Sequence, residues 1–134
     1  MDELTGKIIG AGMRVHSVLG NGFQEVVYQR AMGVEFRTSG VSYEREKEMT
    51  IYYLGEEVGK RRVDFYVEGR VMVELKAVNG LDDSHLAQGR NYLEAYGVRI
   101  GLLINFGRTS LEFRRLYNNR RDACIKNPMN LLNL

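Results

Sequence analysis

The sequence has 134 residues, of which 44% are hydrophobic and 27% charged, a composition typical of one folded domain that excludes an intrinsically disordered chain. A net charge of +2 permits a polyanionic partner but does not require one. We expect a cytoplasmic protein without membrane contact, because no apolar run approaches the ~20 residues that cross a bilayer, the N-terminus lacks a secretory h-region, and the single Cys124 cannot form an internal disulfide.

Two helical patterns open the chain. The first covers residues 3–19, and the second follows the break "LGNG" (19–22) and ends near "TSG" (38–40). From Tyr43 the apolar period changes to two, which indicates strands. Three strands are predicted, in "EMTIYYL", "VGKRRVDFYV" and "RVMVELKAV".

A third helix and two more strands complete the pattern. Asp82 or Asp83 is a suitable N-cap for a helix over "SHLAQGRNYLEAYG", and Gly97 is a suitable C-terminal stop. "VRIGLLINF" reads as a buried strand, and "SLEFRRLY" as the last one. The order helix, helix, three antiparallel strands, helix, strand, strand predicts an α/β sandwich with a mixed sheet instead of an alternating βαβ series.

The third predicted strand carries two opposite charges, Glu74 and Lys76, in an otherwise apolar run. Residues two apart point to the same face of a strand, so these two side chains lie together. Charged groups at buried positions are normally paired, bound to metal or functional. This strand is therefore the first candidate for a functional site.

The hairpin before this strand has a preferred register. A three-residue loop at 68–70 makes one face wholly apolar, and the buried face decides the register. The predicted pairs are Val67–Val71, Phe65–Val73 and Val63–Leu75 on the apolar face, and Asp64–Glu74, Arg62–Lys76 and Tyr66–Met72 on the other. The Cβ atoms of two facing acidic residues lie about 5 Å apart, so their carboxylates repel. Either Mg²⁺ or Mn²⁺ lies between them, or the two cations of the second face neutralise them in a structural network.

These residues resemble a known family. Asp64 followed by Glu74-x-Lys76, together with "GNGFQEVVY" (20–28), "HLAQGRNYL" (85–93) and "GLLINFG" (101–107), resembles the GxxExxY family of the PD-(D/E)XK nuclease superfamily. Val63 stands where the superfamily's name has proline. The resemblance implies a restriction-endonuclease-like sandwich, with a mixed central sheet flanked by helices in the order α-α-β-β-β-α-β-β. It implies a single domain at residues 1–117 and a C-terminal tail at 118–134.

The resemblance also implies a metal site. Asp64, Glu74 and the carbonyl of Leu75 would hold Mg²⁺ or Mn²⁺, and Glu25 on the second helix would lie beside the metal with a catalytic role. Lys76 would orient or deprotonate the attacking water. Tyr28, three residues after the acidic residue on that helix, is interpreted as a packing residue.

Further matched residues are predicted to act on substrate. Gln88, as a catalytic residue, and Tyr92 form the QxxxY motif, whose spacing places both on one helix face. Arg62 and Arg90 are predicted substrate contacts, although solvated surface charge explains them equally well.

Two functions follow. The first is a metal-dependent nuclease that hydrolyses phosphodiester bonds, in DNA more than RNA. The second is a non-catalytic nuclease-fold module that binds nucleic acid or a protein partner. We also expect a homodimer, because so small a core must grip a polyanion, with "GLLINFG" and the tail segment "NPMNLLNL" as contact segments.

Overall fold

The computed structural model describes residues 2–119, with side chains from Glu3 onwards. The predicted order of elements is confirmed. The helices are α1 (Asp2–Leu19), α2 (Glu25–Thr38) and α3 (Asp83–Tyr96), and the strands are β1 (Tyr43–Tyr53), β2 (Glu56–Val67), β3 (Val71–Lys76), β4 (Ile100–Asn105) and β5 (Glu112–Tyr117). None of these helices, within residues 2–119, is long and apolar enough to cross a membrane.

The strands form a mixed sheet in the order β1-β2-β3-β4-β5. Strands β3 and β4 are parallel, and the other neighbouring pairs are antiparallel. The parallel pair arises because α3 connects β3 to β4 as a crossover, whereas short turns join the antiparallel neighbours. The sheet is therefore the mixed one that the sequence predicts.

The helices cover both faces of the sheet. Tyr28, Met32 and Phe36 of α2 pack with α1 against one face, in a cluster that we call the α2-side core. Leu93 of α3 packs against the other face, in a cluster with Met72, Leu103 and Leu116 that we call the α3-side core. Gly89 of α3 lies so close to the sheet that a Cβ atom there would collide with Leu116. Sequence-distant elements thus meet the sheet from two sides.

Local signals set the ends of the elements. The Asp82 side chain accepts a hydrogen bond from the backbone N–H of His85, and the His85 ring accepts one from the backbone N–H of Asp82. Gly97 ends α3 in the left-handed conformation, with φ 69°. Between α1 and α2, the buried Tyr28 hydroxyl donates to the carbonyl of Gly20 at 2.6 Å, so its predicted packing role is confirmed.

Of the two segments predicted to contact a second copy, one lies within the described residues. Every residue of β4 is buried, because the strand lies between β3 and β5 and is covered by helices. The segment "GLLINFG" is therefore committed to this chain's own core, and the prediction that it contacts a second copy is wrong. The other segment, residues 127–134, lies outside the described residues.

Candidate active site

The candidate site lies where β2 and β3 separate. Their ladder contains Val67–Val71, Tyr66–Met72 and Phe65–Val73, the register that the three-residue loop predicts. The ladder stops at that last pair. The predicted pairs Asp64–Glu74, Val63–Leu75 and Arg62–Lys76 are absent from it, so this part of the predicted hairpin is wrong.

The reason is a distortion of the backbone at Asp64. On the other side of β2, strand β1 pairs through Arg45–Phe65 and Lys47–Val63, and the intervening pair with Glu46 is missing. Glu46 has φ 53°, a conformation outside the strand region. Val63 accordingly packs in the α3-side core, whereas Phe65 packs in the α2-side core. Val63 and Phe65 are two residues apart but point to opposite faces of the sheet, so we say that the strand changes face here. The predicted apolar face is therefore wrong for Val63.

The distortion places the Asp64 carboxylate in the gap between the strands. Its Oδ2 atom accepts the backbone N–H of Leu75 at 2.8 Å, a group that would serve the pair with Val63 if the ladder continued. Its Oδ1 atom accepts from Nε2 of Gln29 on α2, also at 2.8 Å. Gln29 is buried, so this contact is fixed by the packing of α2. Two neutral donors therefore hold Asp64.

Glu74 points to the other side, beneath α3. Its Oε2 atom accepts from Nη2 of Arg61 at 2.7 Å, and its Oε1 atom is buried without a hydrogen-bond partner. Burial, together with the negative charge of Asp64, raises the pKa of Glu74 to about 7, although Arg61 and Lys76 lower it. The two carboxylates thus interact electrically but are held from different sides.

The cation that pairs with Glu74 is Arg61, whereas the structural-network alternative named Arg62 and Lys76. The guanidinium of Arg61 lies 4.3 Å from the ring centroid of Tyr92, which stacks in turn on Tyr96 at 5.9 Å. The Nε atom of Arg61 is buried without a partner. The predicted Arg62 is exposed instead, because the strand changes face between these positions and Phe65.

Lys76 ends β3 with a half-buried side chain. Within the described residues, its ammonium makes no hydrogen bond or ion pair, yet it lies close enough to Glu74 to lower that pKa. Its carbonyl accepts the backbone N–H of Phe106 at 2.8 Å. Lys76 is therefore anchored by its backbone, and its charge is available.

A buried asparagine fixes the chain just beyond Lys76. The Oδ1 atom of Asn105 accepts the backbone N–H groups of Val78 and Gly107, each at 3.0 Å. Its Nδ2 atom donates to the Val78 carbonyl and to Glu112, also at 3.0 Å. These contacts hold the start of the connection to α3 against the end of β4.

The geometry agrees with a comparison to known proteins. The family model of the PD-(D/E)XK nuclease superfamily matches residues 2–116. The chain belongs to this superfamily. The superfamily is named for its nucleases, and these generally use divalent metals.

Three chains of solved structures also match. One is titled "Crystal structure of SSO0001" and has a TM-score of 0.53 and 17% sequence identity, over 76% of this chain and 54% of that chain. This chain therefore spans about half the length of that protein, and the likeness shows the restriction-endonuclease-like fold. Comparison with curated proteins gives no match.

Asp64, Glu74 and Lys76 thus lie where β2 and β3 separate, and none of the four other predicted residues is hydrogen-bonded to them. Glu25, Arg62, Gln88 and Arg90 are exposed, and none makes a side-chain hydrogen bond or ion pair within the described part of the chain. No three His, Cys, Asp or Glu residues among those described form a group that could hold a metal. The structure therefore does not bring Glu25 into one ligand set with Asp64 and Glu74.

The site residues nevertheless fit the divalent metal that the superfamily uses. A buried oxygen without a partner, such as Oε1 of Glu74, normally implies an unseen partner. The N–H and C=O of one strand residue point to the same side, so the Leu75 carbonyl faces the gap as its N–H does. With Asp64 added, the donor set is all oxygen, which suits Mg²⁺ or Mn²⁺.

Sequence reasoning missed three contributors: Gln29, Arg61 and Asn105. A signal for Gln29 was present, because it follows Glu25 by four residues and so shares its helix face. Arg61 could not be chosen over its neighbour without knowing that the strand changes face. Asn105 acts through backbone groups of a loop 27 residues away, which leaves no local signal.

Proposed function

We propose that this protein is a Mg²⁺- or Mn²⁺-dependent nuclease of the GxxExxY branch that hydrolyses phosphodiester bonds in DNA. The observation that carries the proposal is the arrangement around the gap. Asp64 lies on one side, the unpartnered Oε1 of Glu74 lies on the other, and the unpaired Lys76 follows directly on β3.

Three oxygens form the proposed metal site. Asp64, Glu74 and the Leu75 carbonyl would hold the ion, which supplies an activated water and neutralises charge on the phosphate. Asp64 is already oriented by Gln29 and by the Leu75 N–H. Glu25 is proposed as an added acidic group beside the metal, since it shares a helix face with the residue that contacts Asp64.

Lys76 has the proposed catalytic role. An ammonium group with no partner can hydrogen-bond the attacking water, hold it against the phosphorus atom and stabilise negative charge in the transition state. The bond from Phe106 to its carbonyl and the contacts of Asn105 fix the backbone that carries it. The position of its backbone is therefore set before substrate binds.

The proposed substrate surface adjoins α3. Gln88 and Tyr92 lie on one face of that helix, and Arg90, two residues from each, is exposed on a different face. Arg62 is exposed on β2, two residues before Asp64. Exposed guanidinium groups favour binding of phosphates, and a tyrosine hydroxyl can donate a hydrogen bond to one.

The test is incubation with single-stranded, duplex and branched DNA and with RNA, in the presence of Mg²⁺, Mn²⁺ or EDTA. We expect cleavage of DNA with either metal and none with EDTA. The Lys76→Met variant is the control for a contaminating nuclease, which would cleave in both preparations. Absence of metal-dependent cleavage of every substrate would contradict the proposal.

A second candidate is a non-catalytic module that binds nucleic acid or a protein. The ion pair between Arg61 and Glu74 favours it, because a carboxylate neutralised by the protein itself does not require a metal. This candidate predicts binding of DNA that is equally strong in EDTA, without cleavage. Homodimer formation, the cytoplasmic location and the domain limits 1–117 stay predictions.

A further inference from the structure

Arg61 is a partly buried basic residue that contacts the proposed metal site. Its Nη2 atom lies 2.7 Å from Oε2 of Glu74, and its side chain is only 26% exposed. The guanidinium lies over the ring of Tyr92, and its Nε atom has no partner. The side chain is therefore bound to one of the two carboxylates that would hold the metal.

We propose that Arg61 is an internal counter-ion that competes with the divalent metal for Glu74 and so controls how readily the site is occupied. This inference rests on the proposed function, since it needs the metal site. The physical reason is that a guanidinium beside Glu74 neutralises its charge and repels a second cation. Such an interaction is strong at a site with little water. Asp64 has no such competitor, because its partners are neutral.

The competition gives Arg61 a second state. When Glu74 binds metal through both oxygens, the unpartnered Oε1 and the Oε2 that Arg61 now holds, the guanidinium loses its partner but keeps its stacking on Tyr92. Its Nε and Nη2 groups then face the site without an acceptor. A phosphate oxygen of the substrate is the complementary acceptor, because guanidinium groups bind phosphate through two parallel N–H bonds. Arg61 thereby becomes a phosphate-binding residue only after metal enters.

The chain supplies a matched control. Arg62 is adjacent in sequence and carries the same charge, but it is exposed and makes no ion pair within the described residues. Arg61→Gln and Arg62→Gln therefore change net charge equally and differ in contact with Glu74. Any effect of total charge appears in both.

The experiment is calorimetric titration of wild type, Arg61→Gln, Arg62→Gln and Arg61→Lys with Mn²⁺ alone. We expect Arg61→Gln to tighten Mn²⁺ binding by about tenfold or more and Arg62→Gln by less than about twofold. The Mn²⁺ affinity of Arg61→Lys should lie between those of wild type and Arg61→Gln. An ammonium keeps the charge but cannot form the paired hydrogen bonds of a guanidinium or stack in the same way on Tyr92. If Arg61→Gln fails to fold, Arg61→Lys against Arg62→Lys carries the same comparison.

Three results overturn the inference. Equal tightening in Arg61→Gln and Arg62→Gln assigns the effect to net charge. Weaker binding by Arg61→Gln shows that Arg61 orients Glu74 for the metal instead of competing with it. In both cases Mn²⁺ still binds, so the nuclease proposal stands. Absence of Mn²⁺ binding by all four proteins overturns the nuclease proposal and this inference together.

Discussion

The two carboxylates of the site differ in what holds them. Asp64, on the α2 side, accepts hydrogen bonds from an amide side chain and a backbone N–H, both neutral. Glu74, on the α3 side, is bound to the guanidinium of Arg61. Neutral donors orient a carboxylate without neutralising its charge, whereas a cation neutralises it. The charge of Asp64 is therefore available to a metal ion, and that of Glu74 is neutralised by Arg61.

The difference originates in the backbone. Because β2 is distorted at Asp64, that residue leaves the ladder and meets Gln29, while Arg61 reaches under α3 to Glu74. A regular strand would have placed both acids on one face. The distortion of β2 thus gives Asp64 and Glu74 different environments, although strand alternation alone predicts the same environment for both.

The largest expected effect is that of Lys76→Met, which removes the ammonium group proposed to act on the attacking water. We expect cleavage to fall by about a hundredfold to ten-thousandfold, the usual loss when a group acting on the proton of the nucleophile is removed. Thermal stability should change little, because Lys76 makes no ion pair within the described residues. Initial cleavage rates measure the first effect and calorimetric melting the second, with the exposed Lys7→Met as control. A strongly destabilised Lys76→Met protein would instead indicate a structural role.

Asp64→Asn tests the α2 side. An amide has one acceptor oxygen, so one of the two donors, Gln29 or the Leu75 N–H, would face an NH₂ group. We expect the metal-free protein to lose about 1–3 kcal/mol of unfolding free energy, the cost of an unsatisfied donor at such a site. Chemical denaturation in EDTA measures it. Unchanged stability would mean that these two hydrogen bonds do not hold Asp64 in solution.

Glu74→Gln tests the α3 side through pH. Burial and the charge of Asp64 raise the pKa of Glu74 from its ordinary 4.5 to about 7, so the folded state binds the proton more tightly than the unfolded state. The stability of wild type relative to Glu74→Gln is then highest below pH 4.5 and falls as pH rises towards about 7. Denaturation of both proteins in EDTA across this range measures the difference. A difference that is constant with pH would show that Glu74 is not perturbed.

Gln29→Leu gives the smallest expected effect. Asp64 loses one donor but keeps the Leu75 N–H, so we expect a loss of about 1 kcal/mol. The matched control is Gln88→Leu, which removes an exposed amide without a partner in residues 2–119 and should stay within about 0.5 kcal/mol. A double-mutant cycle of Gln29→Leu with Asp64→Asn should show coupling. Additive effects would indicate that Gln29 acts elsewhere.

Periodicity was sufficient to predict the elements and the half of the hairpin register next to the turn. Helical spacing, an aspartate N-cap and the stop at Gly97 are local signals; the structure has all three and selects Asp82 from the two predicted N-cap candidates. The register of Phe65 to Val67 against β3 followed from burying one apolar face. Such signals are local because each depends on neighbours along the chain or across one turn.

The details of the site depend on contacts between distant segments. The strand pattern assigned Arg62 to the face of Asp64, and only the distortion opposite Glu46 brings Arg61 to Glu74 instead. The contact of Gln29 with Asp64 joins residues 35 positions apart. Alternation along a strand cannot reveal either feature, because both arise where alternation fails.

That both sides form one metal site is tested most directly by a crystal structure with Mn²⁺ and its anomalous difference map. We predict one peak in the gap, within about 2.0–2.4 Å of oxygens of Asp64, Glu74 and the Leu75 carbonyl. We also predict that Arg61 has moved from Oε2 of Glu74. A fully occupied peak elsewhere, or an empty gap with the contact between Arg61 and Glu74 intact at millimolar Mn²⁺, would contradict a single metal site.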